Sequence, residues 1–249
     1  MSGYTNHVVV CGYDSGTQML LDTLVDEIDT EHQNIVIFAP SERPVSVGPD
    51  FAWIQGDPTK ESELGKVRLS HASACVVVGS REMTPSLADA RTVLTLFTIR
   101  SFLDTEPDAQ RRIVPLYLVA EVLDSENVKH AKTAGADEVI ETNRVGFSLL
   151  AHTVTMPGTA ASMSEVVVRG SQNLYVGQLP STLGSGATVA ECASWLKRET
   201  GALMIGLRRD SSEGNWLNPP DDTPISEGAR ILYLATEAVL DEGPKRAEE

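Results

Sequence analysis

The feature that most constrains the fold of this chain is a regular alternation of short apolar runs and longer amphipathic segments through its first half. Six apolar runs are strand candidates, at 7–11, 34–38, 51–54, 74–78, 114–119 and 138–140. Segments with helical periodicity lie between them, at 17–28, 60–66, 85–103 and 125–134. This order predicts an α/β fold, in which a Rossmann-like, six-stranded parallel sheet carries helices on both faces.

The periodicity changes after the sixth run. Residues 143–156 have the pattern of one further helix, which Pro157 and Gly158 end. A smaller α+β unit follows, with one helix at 189–199 and with apolar runs at 174–176, 202–207 and 230–234. The stretch NWLNPPDDTPISEGAR is rich in Pro, Asp and Gly, so we expect turns there.

The segment 85–103 is apolar over most of its predicted helical circumference. A helix of this kind is buried on two sides. The sheet would cover one side. Two explanations are open for the other: a partner subunit, or further parts of the same chain that make this a core helix.

Charge and cysteine content limit the function classes. The chain has 249 residues, a formal net charge of −15 and a pI of about 4.7, which argues against a nucleic-acid partner and against docking on anionic lipid. Cys11, Cys75 and Cys192 lack CxxC spacing, which is typical of a reduced, cytoplasmic protein without a zinc cluster. The start MSGYTNH has no apolar core and no apolar run approaches the length of a membrane span. We therefore expect no signal peptide and no direct membrane insertion.

The stretch VVVCGYDSGTQMLL has the strand, glycine and helix that open a dinucleotide-binding unit, with Gly12 at the end of the strand. Asp14 and Thr17 stand where that fingerprint has its second and third glycines. A carboxylate at the second position adds a side chain and a negative charge beside a phosphate. Asp14 or Ser15 is instead suited to cap the following helix, whose N-terminus still offers N–H groups together with Gly16. We therefore expect phosphate binding to be weakened but not excluded, with a single phosphate or a phosphate bound further along as the open alternatives.

Other marks of a nicotinamide enzyme are missing from the sequence. Ala39 and Pro40 stand at the end of the second strand, where an acidic residue would hold the ribose. The five histidines are scattered, and there is no HExxH, GxSxG or P-loop motif. We therefore predict no catalytic site and no enzyme activity.

Four stretches resemble, in order and spacing, the regulator-of-potassium-conductance (RCK) domain, also called the TrkA N-terminal domain. They are HVVVCGYDSGTQMLLDTL, FAWIQGDPTKESEL, ASACVVVGS and LVAEVLDSENVKHAKTAGADEVI. The GDPT motif at 56–59 and the AGADEVI motif at 134–140 are the most specific parts. In the second unit, GALMIGLRR and NPPDDTPISEGARILYL resemble the TrkA C-terminal domain, so that the resemblance covers 7–240.

The resemblance implies a division of the chain. A Rossmann-like RCK N-lobe would occupy 7–142, and crossover helices that form a dimer interface would occupy 143–165. A TrkA-C-like lobe would follow at 166–240, and we expect a disordered tail at 241–249.

The resemblance also implies a function: a cytoplasmic module at the inner face of the cell membrane that senses a small ligand and controls potassium flux. Such modules form homodimers, assemble into rings of eight and act on the pore domain of a channel or transporter. A ligand that prefers one cleft geometry would shift the conformation of the ring. The first alternative is a stand-alone soluble subunit of a Trk- or Ktr-type transporter, and the second is an NAD-dependent oxidoreductase.

The regulatory ligand that the resemblance implies is an adenine nucleotide (AMP, ADP or NAD), ahead of calcium, in the Rossmann cleft or between the lobes. The expected nucleotide-binding residues are Gly12, Tyr13, Asp14, Ser15, Gly16, Ser41, Arg43, Asp57, Thr59, Gly79, Ser80, Arg81 and Glu121. For calcium, Glu121 matches one ligand of calcium-gated members, whereas Gly79 and Leu123 replace two others.

Overall fold

The structure, a computed structural model, describes residues 4–14, 16–28, 33–167, 172–184, 186–208, 214–226 and 229–241. These residues form two compact units, which divide between His152 and Thr153. Among the described helices, none is both long enough and apolar enough to cross a membrane.

The strands of the first unit, within its described residues, are β1 (Val8–Cys11), β2 (Ile35–Ala39), β3 (Phe51–Gln55), β4 (Ala74–Val77), β5 (Tyr117–Val122) and β6 (Glu138–Glu141). They form one parallel sheet in the order β3-β2-β1-β4-β5-β6. The parallel α/β architecture predicted from the alternating pattern is therefore confirmed.

Helices connect these strands. In the described part of the first unit they are α1 (Thr17–Glu27), α2 (Glu61–Leu64), α3 (Pro85–Thr105), α4 (Pro107–Gln110), α5 (Val128–Thr133) and α6 (Thr142–Thr155), of which α6 runs across the division between the units. Two 3-10 turns, Gly65–Val67 and Leu69–His71, follow α2, and one, Ser125–Asn127, precedes α5.

The central strands are buried on both faces, which explains why they are continuously apolar. Val9 of β1 belongs to the cluster that packs with Leu96 and Ile99 of α3. Its neighbour Val10 belongs to the opposite cluster, with Leu21 of α1. Each fully buried side chain of this size stabilises the fold by roughly 1.5–3 kcal/mol, so the layering follows from burial on both sides of the sheet.

Two expectations for the first unit need correction. Helix α3 is not a covered core helix, because Leu87, Leu94 and Phe97 on one side of it are 58%, 50% and 63% exposed. The fifth strand lies three residues later than the apolar run suggested, at Tyr117–Val122. Pro115 has no N–H to donate to a ladder, and pairing with β4 begins only at Tyr117.

The second unit contains, within its described residues, strands β7 (Asn173–Gln178), β8 (Leu203–Arg208), β9 (Asn215–Leu217) and β10 (Arg230–Ala235) and helices α7 (Thr159–Val167) and α8 (Val189–Thr200). The strands form an antiparallel sheet in the order β7-β10-β8-β9. Helix α8 begins at a capping box between Thr188 and Glu191 and ends at Gly201, and its Cys192 and Leu196 are buried against the sheet with Tyr233.

A strand also lies where turns were expected. Residues Asn215–Leu217 pair with β8, from Arg208 to Gly206, so that β8 lies between β10 and β9. The expected disordered tail at 241–249 lies outside the described residues except for Asp241, whose carbonyl accepts a hydrogen bond from Gln178 at 2.7 Å.

The strand order of the first sheet reverses between β1 and β4. The chain runs outward from β1 through β2 to β3, and then returns to β4 on the other side of β1. Ligands of open α/β sheets bind outside the carboxyl ends of the strands at such a point. The residues that follow β1 and β4 are therefore the first candidates for a ligand site.

Candidate functional site

A cleft of about 200 Å³ opens at the carboxyl ends of β1 and β4. Its lining comes from the loop after β1, the loop after β2, the GDPT turn, the segment after β4 and the first half of α3. The lining residues are Cys11, Gly12, Tyr13, Asp14, Thr17, Pro40, Ser41, Pro58, Val77, Val78, Gly79, Ser80, Glu82, Met83, Ala88, Arg91, Thr92 and Thr95.

Gly12 allows the chain to turn sharply at the end of β1. Its φ is 97°, in the region that residues with a Cβ rarely adopt, and a Cβ there would lie 3.1 Å from a methyl of Val78. The first glycine of the dinucleotide fingerprint is therefore kept for its original geometric reason.

Asp14 occupies the anion position of this loop. Its Oδ1 accepts hydrogen bonds from the N–H of Gly16 at 2.8 Å, the N–H of Thr17 at 3.1 Å and the Thr17 hydroxyl at 3.2 Å. Its Oδ2 accepts the N–H of Arg81 at 2.5 Å. Burial opposes ionisation, but the hydrogen bonds from Arg81, Gly16 and Thr17 outweigh it, so the pKa of Asp14 lies below its usual value. The carboxylate thus fills the place that a phosphate takes at a helix N-terminus.

Arg81 pairs with Glu121 across the ends of β4 and β5. Its Nη2 lies 2.6 Å from Oε1 of Glu121, and its Nη1 lies 3.3 Å from Oε2. The stem of Arg81 also lies over the glycine loop, because a Cβ on Gly16 would come within 2.8 Å of Arg81 Cδ. Glu121 accepts two further hydrogen bonds, from the N–H of Gly79 at 3.1 Å and from the hydroxyl of Thr142 at 2.6 Å.

The GDPT motif forms a turn beside the cleft. Asp57 accepts the hydroxyl of Thr59 at 2.8 Å and its N–H at 3.2 Å, and the guanidinium of Arg91 lies 3.4 Å away. Burial raises the pKa of Asp57, but the hydrogen bonds from Thr59 and the charge of Arg91 lower it by more. The pKa of Asp57 therefore lies below its usual value. Pro58 of the motif and Arg91 of α3 both line the cleft.

Small residues of α3 form the floor of the cleft. Ala88, Thr92 and Thr95 follow one another at helical spacing, and all are buried. The hydroxyl of Thr92 has no hydrogen-bond partner among the described residues. An unsatisfied buried hydroxyl costs free energy, so this floor is a point at which a bound group can compensate.

The structure brings together about half of the binding residues expected from the sequence. Those that line the cleft are Gly12, Tyr13, Asp14, Ser41, Gly79 and Ser80. Those outside its lining are Gly16, Arg43, Asp57, Thr59, Arg81 and Glu121. Arg43 folds back on its own loop, where its Nη2 donates to the carbonyls of Val47 and Gly48. Ser15 lies outside the described residues.

Several cleft residues were missed by the sequence reasoning. The clearest are Ala88, Thr92 and Thr95 of α3, whose spacing of small side chains in an apolar helix is a local signal that could have found them. Met83 and Arg91 carry no such signal, because only the sheet topology brings the segment after β4 and helix α3 to the glycine loop.

No group of three or more His, Cys, Asp or Glu side chains suited to a metal occurs among the described residues. Around Glu121, the expected calcium ligand, the guanidinium of Arg81 already supplies the positive charge. A carboxylate with this partner offers little to a cation that prefers six to eight oxygen ligands. Glu121 as a metal ligand therefore stays a prediction.

Comparison with known families identifies the family to which the chain belongs. The family model of the calcium-activated potassium channel slowpoke-like RCK domain matches residues 3–134, which is more than half of the chain. The chain belongs to this RCK family. The glycine loop, the GDPT turn and the strands that frame the cleft all lie within the matched residues, so the cleft is part of the RCK domain itself.

Relatives of this RCK domain are potassium channels. The calcium-gated potassium channel TvoK of Thermoplasma volcanium is 27% identical over 239 residues, which cover 92% of this chain and 62% of the channel. Human potassium channel subfamily T member 1 is 24% identical over 266 residues, which cover 92% of this chain and 21% of that protein. The chain thus spans less than two thirds of either relative.

Among solved structures, the human SLO3 gating ring resembles the RCK chain with a TM-score of 0.69 at 15% identity. The match covers 93% of this chain and 44% of that one. At this identity the likeness concerns the fold, and it extends over both units of the chain.

Proposed function

We propose that this chain is the cytoplasmic regulatory module of a potassium channel, which binds a small ligand in the cleft after β1 and β4 and thereby controls potassium flux. The observation that carries the proposal is the RCK family match at 3–134, together with the alignment to TvoK over 92% of the chain. Control would operate by population shift, which requires a ligand with different affinities for two conformations of the module.

The ligand class that the cleft supports best is an adenine nucleotide, with AMP, ADP and NAD as the candidates. Tyr13, Pro40 and Pro58 supply apolar surface for a base, and Ser41 and Ser80 supply hydroxyl groups. Because Asp14 fills the anion position of α1, the phosphates would lie away from that helix. Arg91 is the one Arg or Lys side chain among the described residues that line the cleft, so we assign it to the phosphates.

Calcium is the second candidate, because TvoK is described as a calcium-gated channel. Glu121 is the residue that we would assign to it. Calcium ranks behind the nucleotide since the Asp14 carboxylate is fully engaged by hydrogen bonds and Glu121 is paired with Arg81.

The proposed assembly is a homodimer that builds an eight-membered ring and acts on a pore domain at the inner face of the cell membrane. Val145, Phe147 and Leu150 of α6 are exposed apolar residues, as are Leu94 and Phe97 of α3. Two exposed apolar helix surfaces on one chain are what a ring with two kinds of contact requires. A soluble subunit on a separate transporter is the alternative arrangement.

A thermal-shift panel tests the ligand proposal, with AMP, ADP, ATP, NAD, NADH and calcium added separately to the purified chain. A ligand at a hundred times its dissociation constant adds about 2.7 kcal/mol of stability, or several degrees for a chain of this size. A rise with adenine nucleotides alone supports the proposal. A rise with calcium alone replaces the nucleotide by the second candidate, and no rise with any of them overturns both.

The enzyme alternative has a separate test. NADH oxidation by the purified chain, followed by absorbance with a panel of carbonyl substrates, is expected to be no faster than in buffer. Turnover that disappears when the cleft residue Ser80 is replaced by a bulky residue would favour an oxidoreductase.

A further inference from the structure

Four residues that are distant in the sequence are joined by a continuous set of polar contacts, which we call the polar relay: Asp14, Arg81, Glu121 and Thr142. The Arg81 N–H donates to Asp14 at 2.5 Å, and the Arg81 guanidinium donates to Glu121 at 2.6 Å. The Thr142 hydroxyl donates to the same oxygen of Glu121, also at 2.6 Å.

The carboxylates of the relay are buried, and each of their oxygens accepts at least one hydrogen bond. Asp14 is 5% exposed and Glu121 is 7% exposed. Oε1 of Glu121 takes Arg81 and Thr142, and Oε2 takes Gly79 and a second guanidinium nitrogen. A buried carboxylate that loses such a partner must find another or be hydrated. The relay therefore favours two distinct arrangements, intact or broken, over a gradual deformation.

The two ends of the relay lie at different places in the first unit. Asp14 and Gly79 line the cleft, whereas Thr142 is the first residue of α6. The chain leaves the first unit along α6, whose last residues belong to the second unit. A shift of the segment 79–81 thus alters the hydrogen bonding of a carboxylate that holds the beginning of α6.

We infer that the polar relay couples the cleft to helix α6, with Arg81 as the switch between its two arrangements. The side chain of Arg81 does not line the cleft, but it is 44% exposed and its Nη1 lies 3.4 Å from the carbonyl of Gly79, which does. An anionic group bound beside Gly79 can therefore compete with Glu121 for the guanidinium. Glu121, which then lacks its cationic partner, must reorient or be hydrated, and either change alters its hydrogen bond with Thr142. The regulatory role of the relay rests on the proposed function, while the coupling itself is a property of the folded chain and exists without a ligand.

Hydrogen–deuterium exchange on the ligand-free chain measures the coupling. The variants are Asp14→Asn, Arg81→Met and Thr142→Val, and peptides covering 142–150 report on the start of α6. Arg91→Met is the matched control, because Arg91 also pairs with a carboxylate in the first unit but has no contact with the relay. Exchange in α8 of the second unit and the urea midpoint monitor folding.

We expect Asp14→Asn and Arg81→Met to accelerate exchange at the start of α6 at least about fivefold, with exchange in α8 unchanged. Arg91→Met should change exchange in neither helix. Adding Asp14→Asn to Thr142→Val should give no further acceleration, since the contact is already broken. Unchanged exchange in the single variants, or accelerations that simply multiply in the double variant, would overturn the relay. Thr142→Val alone removes one hydroxyl at a helix start and keeps the test usable if a charge variant fails to fold.

This outcome is separable from that of the proposed function. If the variants behave as expected and no panel ligand raises the melting temperature, the relay stands and the ligand proposal fails. If a nucleotide raises the melting temperature and exchange at the start of α6 is unchanged in the relay variants, the ligand proposal stands and the relay fails.

Discussion

The carboxylate of Asp14 accepts the peptide N–H of Arg81 at 2.5 Å, although 67 positions separate them in the sequence. The same carboxylate takes the N–H groups of Gly16 and Thr17 at the start of α1. The glycine loop of this chain therefore carries its own anion. This contact explains how a Rossmann-like sheet can keep its cleft while losing the usual place for a pyrophosphate.

Replacing Asp14 by glycine should tighten the binding of ADP. The substitution removes a negative charge from the phosphate side of the cleft and frees the N–H groups of Gly16 and Thr17. Two unit charges near 4 Å cost about 1 kcal/mol in water and several times more when partly desolvated, so we expect at least about a tenfold gain. Isothermal titration calorimetry measures it.

The control for this change is Asp14→Asn, which keeps a helix-capping oxygen but removes the charge, and should give a smaller gain. Loss of the cap in the glycine variant should lower the free energy of unfolding by only about a few tenths of a kcal/mol. Unchanged or weaker ADP binding in Asp14→Gly would show that Asp14 does not oppose phosphate.

Thr92→Val should stabilise the ligand-free chain. The hydroxyl of Thr92 is buried without a partner among the described residues, and valine has nearly the same shape. Removing an unsatisfied buried polar group should raise the free energy of unfolding by about 1 kcal/mol, as measured by urea denaturation.

The matched control is Thr98→Val on the same helix. The hydroxyl of Thr98 donates to the carbonyl of Leu94 at 2.8 Å, so its removal should be neutral or destabilising. Equal effects of the two substitutions would mean that the Thr92 hydroxyl is satisfied in solution. If Thr92→Val also weakens nucleotide binding, the hydroxyl contacts the ligand.

The free energy of unfolding should fall at mildly acidic pH because of the buried side chain of His7. The ring is fully buried, with Nε2 at 2.8 Å from the carbonyl of Val67 and Nδ1 without a partner among the described residues. Burial lowers the pKa of His7, and the nearby positive groups Arg68, His71 and Arg112 lower it further, against the hydrogen bond to Val67, which raises it.

Because the pKa is lower in the folded state, the unfolded state binds the proton first as the pH falls below about 6.5. The free energy of unfolding should therefore decrease from about pH 6.5 down to the folded pKa of His7. His7→Gln should flatten this part of the curve, while the control His130→Gln, at an exposed position, should not. A native curve that is already flat over this range would contradict the prediction.

The three cysteines should be unreactive in the folded chain. Cys11 and Cys75 lie in contact, with 3.7 Å between their sulfur atoms, and both are buried. The contact with Cys11 and burial raise the pKa of Cys75, and burial raises the pKa of Cys192 to about 11.

A rise of two pKa units lowers the thiolate fraction about a hundredfold, and the thiolate is the reactive form. Labelling with iodoacetamide at pH 8 should therefore be at least about a hundredfold slower in the native chain than in urea, as followed by mass spectrometry. Rapid native labelling of Cys11, which borders the cleft, would indicate that the cleft opens widely.

The chain should be at least a dimer in solution, and α6 should carry the contact. Phe147→Asp and Leu150→Asp place a charge on an exposed apolar surface and should shift light scattering toward the monomer mass. Ser148→Asp adds the same charge to the same helix at an exposed polar position and should leave the mass unchanged. A wild-type chain that is monomeric at high concentration would rule out this interface.

Much of the fold could be predicted because apolar periodicity is a local signal. Runs such as 34–38 are continuously apolar, and a strand buried on both faces must be so. The edge strand β9 of the second sheet, Asn215–Leu217, was missed because its three residues carry almost no pattern of their own. The exposed face of α3 was not visible from composition, since Leu94 and Leu96 have the same side chain and opposite exposure.

The candidate site was predicted only in part, for a related reason. Tyr13, Ser41 and Gly79 each lie two residues after the end of a strand. Strand ends in a parallel sheet meet at one edge, so their place in the cleft follows from the order of elements. Arg43 is a neighbour of Ser41 in the sequence, yet it turns back on its own loop. Side-chain direction in a loop is set by contacts that no linear pattern contains.

The sequence by itself determined the alternating architecture, the sharp turn at Gly12 and the family motifs, because each depends on residues close together in the chain. The tertiary structure decided how the charges are used. Asp14 accepts the peptide N–H of Arg81 across 67 positions, and the Arg81 guanidinium pairs with Glu121 across 40. The residues that suggest a phosphate site and a metal ligand are therefore already engaged by groups of the protein itself. Pairing of buried charges depends on distance in space, which only the folded sheet defines.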